Sequence, residues 1–498
     1  MSRRLSFLAT AILLLFALAA AQSANIQFFR ASALDSSSAN PRVTQAANRY
    51  PLGEIVAANG TILAQSVPAT TGYYPYQRVY PLGSLTSGVV GFSGSNYGNW
   101  GLEAQYAGYL TAHAQPAQSL AQVLAPTSAA DSITLTLEPA LQKVARKALG
   151  GQDGAAVVLD PRTGAVLAMY SNPNYNPAPL ASPVFAIAKA AWKTDNKNNA
   201  HGFPPLGLVA TQQTFPPGST FKVVTTAAAV VGRPDLLVKS YPNKPFANLP
   251  NSNIPLYNSG GGACGGVVAV MLPESCDPGY ALLGLDLGAT LMSGTANSFG
   301  YNSVPPIDLP GVVKSYFPPA SAFQYNLPGL AYSAIGQQNV RATALQNALI
   351  AASVGNGGIM MTPHLLNYIS GPDGTVVKRY QDSVWKTPLT PSQAQQIVPL
   401  MQNVVRNGTA SGVGFLAADD VAAKTGTAQT TSNNNDDWMI AFAPATSPTV
   451  AVAVVEPYQP YGNFGAAFAG PVVKCLIEAT LALQSGQPVS GTSSTCPS

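Results

Sequence analysis

The feature that most constrains the fold is where the strand-like runs lie. Ala155 to Leu159 and Ala165 to Tyr170 flank the turn Asp160-Pro161-Arg162-Thr163-Gly164, which is a β-hairpin signal. Far downstream, Val421 to Ala428, Trp438 to Ala443 and Thr449 to Val455 are apolar runs bounded by turn residues, and Ala466 to Leu483 reads as a helix. Between the two groups lie helical runs at 281–292 and 341–353 and loops rich in Gly and Pro. Strands at both ends with helices between them predict one antiparallel sheet whose first and last strands meet, with helices on its faces: an α+β architecture.

At 498 residues the chain has room for two domains or more. Hydrophobic residues make up 47%, enough for a large core, whereas charged residues are only 9%, against roughly 25% in typical soluble proteins. The polar surface is therefore expected to be mostly Ser, Thr, Asn and Gln. A net charge of +4 with no cluster of Lys and Arg excludes a nucleic-acid footprint. Four cysteines and three scattered histidines form no metal motif, and neither a metal nor a cofactor is expected.

Arg3-Arg4 precede an apolar run from Leu5 to Ala21. Basic residues ahead of such a run favour an N-terminus inside the cell, with the rest exported. The run is short for a span, and Ala19-Ala20-Ala21 would also suit a signal peptidase, so residues 1–22 read as a transmembrane anchor or a cleaved signal. A stalk rich in Ser, Ala and Asn follows to about residue 45. Apolar alternation around Asn59-Gly60 marks a hairpin, and a strand (Ile133 to Leu137) and a helix (Pro139 to Leu149) close a small module. The expected division is 23–150 as a non-catalytic pedestal, 151–485 as the main domain and 486–498 as a polar tail.

The chemistry gathers on three short motifs. Phe215-Pro216-Pro217-Gly218-Ser219-Thr220-Phe221-Lys222 leads into an alanine-rich run that reads as a buried helix. Residues three apart share a helix face, so Ser219 and Lys222 are expected side by side, with a neutral lysine able to take the serine's proton. Alone, S-x-x-K reads as well as a capping serine with a surface lysine. Ser275-Cys276-Asp277 would by itself be a polar loop, and Lys424-Thr425-Gly426-Thr427 a strand ending in a turn. Their order, S-x-x-K then S-x-[ND] then K-T-G, is the signature of penicillin-binding proteins and serine β-lactamases.

With Tyr80-Pro81-Leu82-Gly83, Gly101-Leu102-Glu103, Gly336-Gln337-Gln338, Gly408-Thr409-Ala410 and Asp437-Trp438 added, the chain from about Arg49 to about Leu483 resembles the class B penicillin-binding proteins. The resemblance implies a five-stranded antiparallel sheet with helices on both faces, a pedestal, and an uncleaved anchor in the bacterial cell membrane with the catalytic domain outside. It also implies a peptidoglycan D,D-transpeptidase that is acylated by β-lactams. Ser219 would then attack the penultimate D-alanine of a stem peptide, and Lys222 would accept its proton. The backbone N–H groups of Ser219 and Thr427 would hold the oxyanion. Ser275 would relay a proton to the leaving group. Lys424 would keep Lys222 neutral by its charge and, with Thr425 and Thr427, bind the terminal carboxylate. Gly426 would leave room for a peptide along the strand edge. An extended Ser275-Cys276-Asp277 would aim Ser275 and Asp277 the same way. Asp277 stands where asparagine is commoner in the family, which removes a donor for the substrate amide.

Residues 22–154 leave no room for a glycosyltransferase domain, so the resemblance implies a membrane glycosyltransferase partner of the elongation or division machinery. Two alternatives stay open: a non-catalytic β-lactam sensor or division scaffold, and a β-lactam hydrolase, for which no deacylating base stands out. Outside the membrane, Cys264 and Cys276 are expected to form a disulfide that fixes the Ser275–Asp277 segment, against two buried free thiols. Cys475 and Cys496 would then be a second pair or free thiols.

Overall fold

The computed structural model describes residues 3–29, 50–69, 74–114, 128–430, 433–462 and 464–489. Its N-terminal helix α1 (Arg3–Ala24) contains, over Phe7–Gln27, a segment long and apolar enough to cross a membrane. Arg49, most of the expected stalk and most of the polar tail lie outside the described residues.

The pedestal residues supply β1 (Ile55–Val56), β2 (Ile62–Pro68), β3 (Tyr76–Val79), β4 (Ser132–Leu135) and α2 (Pro139–Leu149). The Asn59-Gly60 turn joins β1 to β2 in antiparallel register. Glu103 of Gly101-Leu102-Glu103 is buried, where it accepts from Arg78 at 2.7 Å and from the Tyr80 hydroxyl at 3.1 Å. A buried charge requires such partners.

The main sheet is built from β5 (Gly154–Leu159), β6 (Val166–Asn172) and three late strands. Helices α3 (Lys222–Gly232), α4 (Asp277–Ser298) and α5 (Ala344–Gly355) intervene. Two more strands, β7 (Leu366–Ser370) and β8 (Val376–Arg379), follow α5. The late strands are β9 (Ala422–Gln429), β10 (Asn434–Ala443) and β11 (Val450–Pro460), and α6 (Ala469–Gln484) closes the chain. The sheet order is β6-β5-β11-β10-β9, antiparallel throughout. The early and late strands meet as expected, with Ala451 opposite Leu159 and Val455 opposite Ala155. Side chains alternate between faces of a strand. The Phe442 face of β10 abuts α5 at Gly355, and the Met439 face abuts α6 at Gly470.

One arrangement was not foreseen. Strands β7 and β8 leave the main domain and extend the pedestal sheet, giving the order β8-β7-β4-β1-β2-β3. Asp308 fastens the same junction: it accepts from the Leu365 and Leu366 N–H groups at 2.7 and 2.8 Å and from the Tyr106 hydroxyl at 2.6 Å.

Candidate active site

Ser219 sits in a 3-10 turn, Gly218–Phe221, rather than on a regular α-helix, and α3 begins only at Lys222. The turn is pinned from several sides. Gly218 has φ +52° and donates its N–H to the Gly336 carbonyl at 3.0 Å. A Cβ on Gly336 would stand 2.1 Å from the Gly218 oxygen, so only glycine permits this approach. Trp438, fully buried, donates its indole N–H to the Pro216 carbonyl at 2.9 Å. Asn347 donates to the Thr220 hydroxyl at 3.2 Å. Gly336 thus braces the Ser219 turn, while Ser219, Gln337 and Gln338 all line the cleft.

Lys222 and Lys424 are both fully buried. Lys222 Nζ donates to the Ser275 carbonyl, to Asp277 Oδ1 at 2.7 Å and to Ser275 Oγ at 3.3 Å. Lys424 Nζ donates to Ser275 Oγ at 2.9 Å and to the Thr425 carbonyl at 2.9 Å. One hydroxyl therefore bridges two amines. Burial lowers the pKa of Lys222, and the Asp277 carboxylate works against that fall. Lys424 lies well below its ordinary range, through burial first and the charge of Lys222 second, with Asp277 opposing. Asp277 favours the Lys222 ammonium, while the two buried amines, sharing Ser275 Oγ, each disfavour the other's charge.

Ser275-Cys276-Asp277 is not extended. Ser275 has φ +58°, and Asp277 is already the first residue of α4. Both side chains still reach the lysines, through a tight turn into a helix instead of along a strand. Asp277 Oδ2 accepts from the Ser259 N–H at 2.9 Å, so each carboxylate oxygen has a protein donor. Cys276 is disulfide-bonded to Cys264 with Cα atoms 5.6 Å apart. Cys475 is disulfide-bonded too, while Cys496 lies outside the described residues.

The K-T-G strand β9 is the free edge of the five-stranded sheet. Gly426 has a packing role. A Cβ there would meet Thr220 Cγ2 at 2.8 Å and the Pro217 oxygen at 2.9 Å, so the glycine also makes room for the Ser219 turn. Thr425 shares a 2.6 Å hydrogen bond with Thr409, whose N–H donates to the Pro273 carbonyl at 3.0 Å. Gly408-Thr409 thereby ties β9 to the loop that precedes Ser275. Thr427 lines the cleft and accepts from the Gly465 N–H at 3.0 Å.

The sequence offered no sign of Asn258 and Ser259, which act from a distant loop, nor of the hydrogen bond from Thr409 of Gly408-Thr409-Ala410 to Thr425. It also gave no sign that Asp437, of the Asp437-Trp438 motif, and Glu456 would be buried acids on the same sheet face as Thr427. Asp437 is opposite Thr427 on one side and Glu456 on the other. Burial pushes both acids up to about 7, with the Asp436 charge adding at Asp437 and the Asp437 charge adding at Glu456.

Residues 154–478 match the penicillin-binding protein transpeptidase domain, and residues 52–130 match the penicillin-binding protein A dimerisation domain. The chain belongs to the class B penicillin-binding proteins. This penicillin-binding protein is 34% identical to the peptidoglycan D,D-transpeptidase PbpA of Mycolicibacterium smegmatis, over 97% of its own length and 99% of the relative's. It is 32% identical to PbpA of Mycobacterium tuberculosis, over 96% and 98%. The ceftriaxone acyl-enzyme of penicillin-binding protein A from M. tuberculosis superposes with a TM-score of 0.79 at 31% identity, covering 88% of this chain and all of that one. Penicillin-binding protein 2 of Pseudomonas aeruginosa superposes at 0.71 with 26% identity, covering 87% and 96%.

Proposed function

We propose that this penicillin-binding protein is a peptidoglycan D,D-transpeptidase working through an acyl-enzyme on Ser219. The observation that carries the reading is the Lys222–Ser275–Lys424 bridge, joined through Asp277 to the open cleft that Ser219 and Thr427 also line. Ser219 Oγ bonds to the carbonyl carbon of the penultimate D-alanine, and its proton passes to Lys222, whose burial favours the neutral amine. The oxyanion rests on the N–H groups of Ser219 and Thr427. The C–N bond to the terminal D-alanine then breaks, and Ser275, touching both lysines, passes the proton to the departing nitrogen. An amine from a second stem repeats these steps in reverse. Lys424, Thr425 and Thr427 serve the terminal carboxylate from the strand edge.

In this reading residues 1–22 anchor the chain, 23–150 form the pedestal and 151–485 the transpeptidase domain. The catalytic body stands outside the cytoplasmic membrane, supported by Arg3-Arg4 before the apolar helix and by a disulfide suited to an oxidising compartment. Glycan strands then come from a membrane glycosyltransferase partner.

The test is covalent labelling of the full chain with fluorescent penicillin, followed by peptide mass spectrometry. The adduct should fall on the peptide containing Ser219, persist for many minutes and vanish in Ser219→Ala. An adduct surviving that change would refute the assignment. Rapid loss of the adduct with steady nitrocefin hydrolysis would instead mark a β-lactam hydrolase.

A further inference from the structure

The cleft in front of Ser219 has a volume of about 890 Å³. Among the described residues that line it, Asp277 alone carries a formal charge, and both of its oxygens already accept from Lys222 and Ser259. Lys222 and Lys424 lie fully buried behind Ser275. Arg341, three positions from Gln338, turns its Nη1 to the carbonyls of Gln338 and Val340 at 2.7 and 2.8 Å. The walls are otherwise of two kinds. Ile254, Tyr257, Tyr332, Tyr461 and Phe464 make them apolar, while Gln337, Gln338, Gln429 and Asn435 add side-chain amides. The loops face each other closely enough that a Cβ on Gly260 would touch Phe464 at 3.6 Å.

We propose that the acyl-donor stem enters this cleft with its side-chain carboxyl groups amidated or absent. This rests on the transpeptidase reading and adds to it the chemical form of the donor. Ahead of its two terminal D-alanines, a stem peptide carries a glutamyl residue with a carboxyl outside the chain. Where the next residue is a dicarboxylic diamino acid, a second such group follows. Each can exist as an acid or an amide. A free carboxylate laid along these walls gives up water and finds no cation among the described lining residues, the one charged group there, Asp277, being already paired with Lys222. A primary amide in the same place is neutral and both donates and accepts, which matches Gln337 and Gln338. The C-terminal carboxylate is the exception, since it belongs beside the K-T-G strand.

The experiment uses the purified full chain and two synthetic stem pentapeptides ending in D-Ala-D-Ala. They are identical except that one carries free side-chain acids and the other primary amides. An amine acceptor is supplied, the cross-linked product is read by mass spectrometry, and fluorescent penicillin labelling runs in parallel. The amidated donor should show at least about a tenfold advantage in kcat/KM. Gln429→Arg and, separately, Gln338→Arg should shrink that ratio by giving the acid a partner. Equal rates for the two stems with normal penicillin labelling would overturn the specificity and leave the activity standing. Normal labelling with no product from either stem would also overturn it. Loss of labelling itself would take the transpeptidase reading down with it.

Discussion

Removing the bond between Cys264 and Cys276 tests whether the cleft wall is held from outside the catalytic residues. The two cysteines are 12 positions apart, and Cys276 stands between Ser275 and Asp277. Just outside the closed loop, Ser259 donates to Asp277 Oδ2 at 2.9 Å and Asn258 Oδ1 accepts from the Asp277 N–H at 3.1 Å. Cys264–Gly266 is otherwise held in a two-stranded sheet with Tyr241–Lys244. In the chain-entropy treatment, closing a loop of this length contributes about 3 kcal/mol. If the loss falls on local opening, the open population rises roughly a hundredfold. In Cys264→Ser, amide exchange at Ser259 and Asp277 should quicken by that factor, while exchange along Asn434–Ala443 stays as it was. Penicillin acylation should fall by about one to two powers of ten, because Ser275 moves with its neighbour. Hydrogen exchange by mass spectrometry and stopped-flow acylation read the two effects. Unchanged exchange and unchanged acylation, with the bond verified absent, would refute the reasoning.

Three further outcomes follow from the site. Asp277→Asn removes the charge that opposes the lowering of the Lys222 pKa, so the acid limb of the acylation–pH profile should move to lower pH; a limb that stays or rises would contradict the pairing. Gly336→Ala should cost about 1–3 kcal/mol through its φ of +74° and the contact with Gly218, and slow acylation more than it lowers Tm. Glu456 is raised from 4.5 to about 7 by burial and then by Asp437. Its contribution to stability is therefore complete below about pH 4 and lost as pH rises through about 7. Glu456→Gln should accordingly gain of the order of 1–3 kcal/mol over the parent at pH 8 relative to pH 5, measured by thermal unfolding in both buffers.

Much of this was legible in the chain because it is local. The Asp160–Gly164 turn, the apolar runs at both ends and the Pro139–Leu149 helix each announce themselves within a dozen residues. The S-x-x-K and K-T-G motifs were legible as an ordered pair. What escaped depends on partners far away in sequence. Leu366–Ser370 gives no hint that its neighbour is Ser132–Leu135. The run Asn433 to Asp437 reads as a turn, yet β10 starts at Asn434 and carries Asp437 into the interior. Asp277 was misplaced for a different reason: Pro278 directly after it is a helix-start signal, and it outweighs the extended reading of the triplet.

The shared sheet has a mechanical meaning. Strand Leu366–Ser370 lies against Ser132–Leu135 with Leu366 opposite Leu135 and Ser370 opposite Ser132, and Asp308 bolts the same corner to Tyr106. The pedestal is therefore joined to the transpeptidase domain by more than the peptide link near residue 150: a splint of inter-strand hydrogen bonds holds it as well. A fragment cut at that link would lose the splint and bare the edge of Ser132–Leu135, an invitation to aggregate. Intact, the splint lets the N-terminal residues and the transpeptidase domain share one sheet, so neither can be removed without exposing the other's strand edge.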